Sequence, residues 1–220
     1  MTVLAQRDGV RVAAFNKCGG TSIINTFMSR RNENPDFPNS NDRARAIGGY
    51  QGDLTNSQDW PEPRVLVAFM RDPARRALSA YQHFLVRKER YKFKELGFEF
   101  GMSFPAFVDH LLTVNLSADK HISPCVPDLL AAGGDCHYIV APLEFINEAW
   151  PLIMDGVGLV DVPDIIAWHN KGSYNPDDFM TAELREKLRE LYLQDFNLWC
   201  ATYHEHKTRA KIPAVGNEIS

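Results

Sequence analysis

Apolar and polar positions along this chain fall into blocks that switch between two periods. Val10 to Phe15 is a short run of strand-forming residues, and Thr21 to Met28 carries Ile23, Ile24, Phe27 and Met28 at helical spacing. Between them lies a turn, NKCGGTS, with one lysine, two glycines and two hydroxyl side chains. From Ser29 to Pro63 the pattern dissolves into Asn, Asp, Pro and Arg, with only Ile47 to Leu54 reading as ordered. Excursions of that length above a sheet commonly line sites. Val65 to Met70, VLVAFM, is the continuous apolar run expected of a strand buried on both faces of a parallel sheet. Arg71-Asp72-Pro73 closes it. Pro73 suits the first position of a helix whose apolar face is Ala77, Leu78, Tyr81, Phe84 and Leu85.

The same alternation continues downstream. Arg87 to Lys94 is charge-rich and reads as a solvated face, and Ser103 to Leu112 restarts a helix with Phe104, Phe107, Val108, Leu111 and Leu112 inward. His137 to Val140 is a third strand, followed by a helix from about Asn147 to Asp155 that Gly156 can cap and by an edge strand at Ile165 to Trp168. A last helical element, Ala182 to Trp199, places Leu184, Leu188, Leu191, Tyr192, Phe196 and Trp199 on one packing face. Strands alternating with helices predict an α/β fold, a P-loop-like three-layer sandwich with a central, mostly parallel sheet. Residues 1–206 are expected to form a single domain and 207–220 a flexible C-terminal tail.

Composition narrows the ligand. The 220 residues, 45% of them hydrophobic, suffice for one core. A net charge of -4 offers no general attraction to nucleic acid or anionic membrane, so any anion site must be a local concentration of Arg and Lys. The longest apolar stretches are about six residues against the roughly 20 needed to span a bilayer, and MTVLAQRDGV lacks the apolar centre of a signal peptide. A cytoplasmic protein without a membrane span is expected. Four cysteines, Cys18, Cys125, Cys136 and Cys200, show no CxxC spacing, so no metal site is predicted and free thiols are the default. Cys125 and Cys136 are the pair closest in sequence.

The turn before the first helix carries the clearest chemistry. Backbone N–H groups from Gly19 to Ser22 at a helix N-terminus favour an anion, Thr21 and Ser22 add hydroxyl donors, and Lys17 adds an ammonium. An ATP-hydrolysing P-loop would place lysine directly before the hydroxyl residue, whereas here lysine leads the glycines, and no acidic strand end is evident for magnesium. In the second unit, Arg71 stands at the C-terminal end of the buried strand, where open α/β sheets bind ligands, and Ser79 lies about two turns into the next helix. Arg75 or Arg76 is expected one turn from Ser79 on the helix surface, and Asp72 is a helix cap or a partner for Arg71.

Taken together, Lys17-x-Gly19-Gly20-Thr21-Ser22 and Arg71-Asp72-Pro73-x-x-Arg76-x-x-Ser79-x-Tyr81 resemble the carbohydrate sulfotransferases, the Golgi-type family 2 group, over most of the chain. The resemblance implies that residues 17–22 (Lys17, Cys18, Gly19, Gly20, Thr21, Ser22) hold the 5'-phosphosulfate of 3'-phosphoadenosine-5'-phosphosulfate (PAPS), and Arg71 and Ser79 its 3'-phosphate. No metal would be required. Asp119-x-His121-x-x-Pro124 resembles a further family segment, with Ile122 and Cys125 standing where Trp and Gln are usual. The strand and helix around Glu144 resemble another, and Asn170 and Lys171 sit where relatives complete the nucleotide site.

Such a transfer needs a cation on the leaving oxygen, a role for Lys17, and a base titrating near neutrality, typically histidine. Of seven histidines, His83, His110, His204 and His206 read as surface or packing residues, and His137 or His169 could face the site. His121, in a family-like segment between predicted elements, is the expected base. Some relatives carry a Gly-His base between the two donor motifs; here IGGYQGD places Tyr50 and Gln51 there, with Asp53 as a substitute. The expected acceptor is a hydroxyl on a carbohydrate or glycan-like metabolite. Two other classes remain: a P-loop kinase or nucleotide hydrolase, and a non-catalytic nucleotide- or glycan-binding module.

Overall fold

A computed structural model describes residues 3–29, 50–53, 60–86, 91–163 and 176–209. The chain opens with a hairpin. Strand β1 (Val3–Arg7) pairs antiparallel with β2 (Val10–Ala14), Arg7 opposite Val10. The connecting Asp8 and Gly9 both have positive φ, 51° and 75°, the backbone of a two-residue type I′ turn that matches strand twist. The remaining described strands are β3 (Tyr50–Asp53), antiparallel to β1, then β4 (Val65–Met70), parallel to β2, and β5 (His137–Pro142), parallel to β4. The sheet order is β3-β1-β2-β4-β5. Two successive antiparallel pairings turn β3 back to the direction of β2, so among the described strands β1 alone runs against the others.

Sheet alternation shows which helix covers which face. Gln6 and Arg11 are cross-strand partners and share a face, where Arg11 donates to Gln6 Oε1 at 2.7 Å and to the carbonyls of Ala132 and Pro61. Arg7 points the other way, its guanidinium 5.5 Å from the ring centroid of Phe27 and 2.8 Å from Asp161. Phe27 belongs to α1 (Gly20–Phe27) and Ala132 to α5 (Cys125–Gly133), so these helices lie on opposite faces and the fold is a three-layer α/β sandwich of P-loop-like type. Helix α6 (Ile146–Gly156) seats Trp150 against Phe69 of β4. Its C-terminal turn closes at Gly158, φ 83°, two residues beyond the glycine expected to cap it.

A second apolar cluster is built by helices. It joins α2 (Pro73–Tyr81), α3 (Tyr91–Glu95), α4 (Phe104–Leu111), α7 (Ala182–Leu191) and α8 (Leu193–Arg209) around Tyr81, Phe84, Phe93, Phe98 and Phe107. The expected single helix from Ala182 is therefore two, broken at Tyr192 (φ -113°, ψ 38°). Beyond α2 the chain continues as one π-helical turn, Gln82–Val86, of the kind that often marks functional positions.

All four cysteines are free thiols. The neighbour of Cys125 is not Cys136 but Cys18: the Cys125 thiol donates to Cys18, and that bond together with full burial pushes it well above the ordinary thiol value. The edge strand expected at Ile165 to Trp168, and His169, Asn170 and Lys171, lie outside the described residues. No helix among the described residues is long and apolar enough to cross a membrane.

Candidate active site

Strand β2 ends at Ala14 and the chain folds over at once, with Cys18 N–H donating to the Phe15 carbonyl at 3.1 Å. Lys17 occupies the left-handed region (φ 64°), as does Gly19 (φ 72°, ψ 20°), the N-cap of α1. No side chain caps α1, and its first turn holds no acidic residue. The N–H groups that a helix leaves unpaired at its start thus meet no competing carboxylate from that turn, and the dipole adds partial positive charge. The site residues separate here. Cys18 has its N–H on Phe15 and its thiol wholly buried, so its side chain shapes the turn from within. Ser22 is also buried, at 1% exposure.

Arg71, immediately after β4, reaches across to this turn: its Nη1 donates to the Lys17 carbonyl at 3.3 Å. The two motifs therefore meet at the C-terminal edge of adjacent parallel strands. Asp72 caps α2 through Ala74 N–H at 2.9 Å, and its other oxygen accepts from Arg185 at 2.8 Å. Ser79 is half-buried two turns into α2, whereas Arg75 is exposed and Arg76 is 2% exposed. Arg76 is a core residue. It donates to Asp195 at 3.0 Å and to the Ser123 carbonyl at 2.7 Å, with its guanidinium 4.8 Å from the Tyr192 ring centroid. Asp195 in turn accepts the N–H groups of Cys125 and Val126, capping α5 from a different helix.

His121 lies between a short 3-10 turn (Leu116–Ala118) and α5, 6% exposed. Its Nδ1 is 2.6 Å from Asp119 Oδ1, and its ring meets Phe84 edge-on with centroids 4.5 Å apart. Lys17 Nζ sits 5.8 Å from the centroid of the same Phe84 ring. The two residues expected to act on the leaving group and the acceptor are thus brought to one phenylalanine, set by the π-helical turn. Burial by itself would raise the Asp119 pKa, but the hydrogen bonds from the His121 ring and backbone outweigh it and hold the carboxyl below its ordinary value.

A cavity of about 270 Å³ opens beside the same strand ends, bounded by Asp72, Arg75, Glu144, Arg185, Trp199 and Tyr203 among others. Carboxylates do follow β4 and β5 here, but both are engaged. Asp72 has the partners given above, and Glu144 accepts from Asp72 N–H at 3.1 Å and from Trp199 Nε1 at 3.1 Å. With Asp72, Asp177 and Glu144 facing Arg75 and Arg185, this cavity is not an anion cleft.

Across the chain, the profile described as Sulfotransferase family matches residues 2–200. The chain belongs to the sulfotransferase family. No curated protein and no solved structure matched it. A transferase that moves a sulfuryl group is consistent with the two joined motifs, and among the described residues no cluster of His, Cys, Asp or Glu is arranged to hold a metal.

Sequence reasoning missed several residues that hold this sulfotransferase's site together. Asp195 was hidden because a helix read as amphipathic gives no hint that one buried carboxylate caps another helix about 70 residues away in the chain. Phe84 looked like one core residue among many. The signal for the hairpin was present, since Asp-Gly between apolar runs is the strongest short-range hairpin cue. Strand β3 falls in Ile47 to Leu54, and the side chains of Tyr50, Gln51 and Asp53 lie outside the described detail.

Proposed function

We propose that this sulfotransferase moves the sulfuryl group of PAPS to a hydroxyl of a carbohydrate or glycan-like metabolite. The observation that carries this reading is the Arg71–Lys17 contact, which ties two separate anion-binding motifs into one site at the end of β2 and β4. A donor with phosphate groups at both ends needs two such motifs. Lys17 and the first turn of α1 would hold the 5'-phosphosulfate, and Arg71 with Ser79 the 3'-phosphate, each charge-assisted bond contributing about 1.5 to 3 kcal/mol. The open N-terminus of α1 and the left-handed glycine before it fit such a group.

In the transfer, the acceptor oxygen forms a bond to sulfur as the bond from sulfur to the leaving phosphate oxygen breaks. Lys17 neutralises the charge on that oxygen, and His121 takes the acceptor's proton. Their contact with the same Phe84 ring supports the pairing of roles. The kinase or hydrolase reading is disfavoured because Asp72 and Glu144 are committed to helix capping, Arg185 and Trp199.

Radiolabelled PAPS incubated with size-fractionated cell extracts, and with Lys17→Ala as the blank, tests the reading. Label moving to a carbohydrate-containing fraction with wild type alone is expected. Label remaining on the nucleotide with every fraction, or phosphate transfer from ATP and magnesium instead, would overturn it.

A further inference from the structure

We infer that Asp119 is a positioning residue that fixes the His121 ring in the tautomer with the proton on Nδ1, leaving the lone pair on Nε2; this rests on the reading of His121 as the base. Asn115 caps the 3-10 turn at Ser117 N–H, 3.1 Å, after which Asp119 is extended (φ -138°, ψ 129°). Its carbonyl accepts from Ile122 and Ser123 N–H at 3.1 and 3.0 Å, so the chain reverses over residues 119–123. Its side-chain Oδ1 accepts the His121 backbone N–H at 2.8 Å, the pattern of an Asx-turn.

A structural role alone would end there, but the same Oδ1 also meets the His121 ring, at Nδ1, 2.6 Å away. Asp119 is 6% exposed and its carboxyl is held below its ordinary value, so near neutral pH it is ionised and can only accept. A bond of that length from a carboxylate to a ring nitrogen requires the proton on Nδ1. The neutral imidazole then has its basic nitrogen at Nε2, and the ring can take up a proton there without giving up Asp119.

The backbone around the ring is held from α2 and from the break between α7 and α8. Tyr192 donates to the Ile122 carbonyl at 2.7 Å and Arg76 to the Ser123 carbonyl at 2.7 Å, while the Phe84 ring meets the imidazole edge-on. Among the described residues, Lys17 lies across Phe84 and His83 edge-on to it at 4.6 Å, and the Asp195 carboxylate is taken up by Arg76 and by the Cys125 and Val126 N–H groups. The oxygen that meets the ring at Nδ1 is Asp119 Oδ1.

Long-range proton–nitrogen NMR of the full chain near pH 7 reads the tautomer directly. Wild type should show His121 as the Nδ1–H form. In Asp119→Ala the Nε2–H form should appear. Asp119→Asn keeps an oxygen for the Asx-turn while removing the charge that steadies a protonated ring. Its transfer rate from radiolabelled PAPS to a mixed saccharide panel should fall about 10- to 100-fold. Calorimetric binding of 3'-phosphoadenosine-5'-phosphate should be unchanged in both variants. An Nε2–H ring in wild type overturns the inference, as does an unchanged tautomer in Asp119→Ala with an unchanged rate in Asp119→Asn. Should His121→Ala keep the wild-type rate, the base assignment itself falls. An inactive His121→Ala beside fully active Asp119 variants removes only the positioning role.

Discussion

The Arg71 guanidinium donates to the Lys17 carbonyl at 3.3 Å, so the residue expected at one end of the donor holds the backbone of the residue expected at the other. Lys17 is itself strained, at φ 64° without being glycine. A non-glycine residue there costs roughly 1–2 kcal/mol, and such strain persists where the surroundings over-determine it. The Arg71 bond and the Lys17 ammonium over Phe84 are part of those surroundings.

Replacing Lys17 separates stability from activity. Lys17→Gly should unfold at a temperature equal to or above that of wild type, because the left-handed backbone is relieved, yet lose transfer by about 100-fold or more. Lys17→Ala keeps the strain and should lose activity equally. Thermal melts alongside initial rates with radiolabelled PAPS give both readouts.

The two glycines of the turn should behave differently. Gly19→Ala forces a side chain into φ 72° and should cost about 1–2 kcal/mol, lowering the melting temperature by roughly 2–8 °C. A Cβ on Gly20 would meet Ala14 Cβ at 3.4 Å and the Phe15 carbonyl at 3.5 Å, ordinary contacts, so Gly20→Ala should fold as wild type does. If the backbone approaches a phosphate there, Gly20→Ala will still weaken nucleotide binding by calorimetry.

The Arg76–Asp195 pair, with side chains 3% and 1% exposed, is a structural centre and not a donor contact. Asp195→Ala leaves a buried guanidinium without its partner and uncaps α5, and should cost about 3–5 kcal/mol in chemical denaturation. Arg75→Ala, on the exposed side of the same helix, should fall within about 0.5 kcal/mol of wild type.

Acid should weaken the fold through Asp119. Its folded pKa lies below the ordinary 3.8, so the unfolded chain binds the proton more readily and the stabilisation is fully present above that value. It is lost as pH falls through the lowered folded value. Melting temperature followed from about pH 6 to about pH 3 should drop less steeply for Asp119→Asn than for wild type.

Much of the scaffold was legible in the chain because its signals are local. VLVAFM reads as a buried strand and is one, Pro73 opens α2, and Asp72 caps it as an Asp before a proline can. The Cys18 thiol could not be placed from sequence, since its partner Cys125 arrives from a helix more than 100 residues away. For the same reason Arg76 and Arg75 were indistinguishable on paper. One residue of helical rotation sends the first into the core against Asp195 and the second to solvent. His121 was singled out by its type and segment, but the Asp119 bond and the Phe84 ring that locate it depend on a turn and a π-helical insertion that periodicity does not reveal.

The two-ended donor clamp is tested most directly by calorimetric titration of wild type and Arg71→Ala with two ligands, 3'-phosphoadenosine-5'-phosphate and adenosine-5'-phosphosulfate, which lacks the 3'-phosphate. The clamp predicts that wild type binds the first more tightly, and that Arg71→Ala weakens it about tenfold to a hundredfold while leaving the second nearly unchanged. Equal loss for both ligands, or equal affinity of wild type for both, would contradict it.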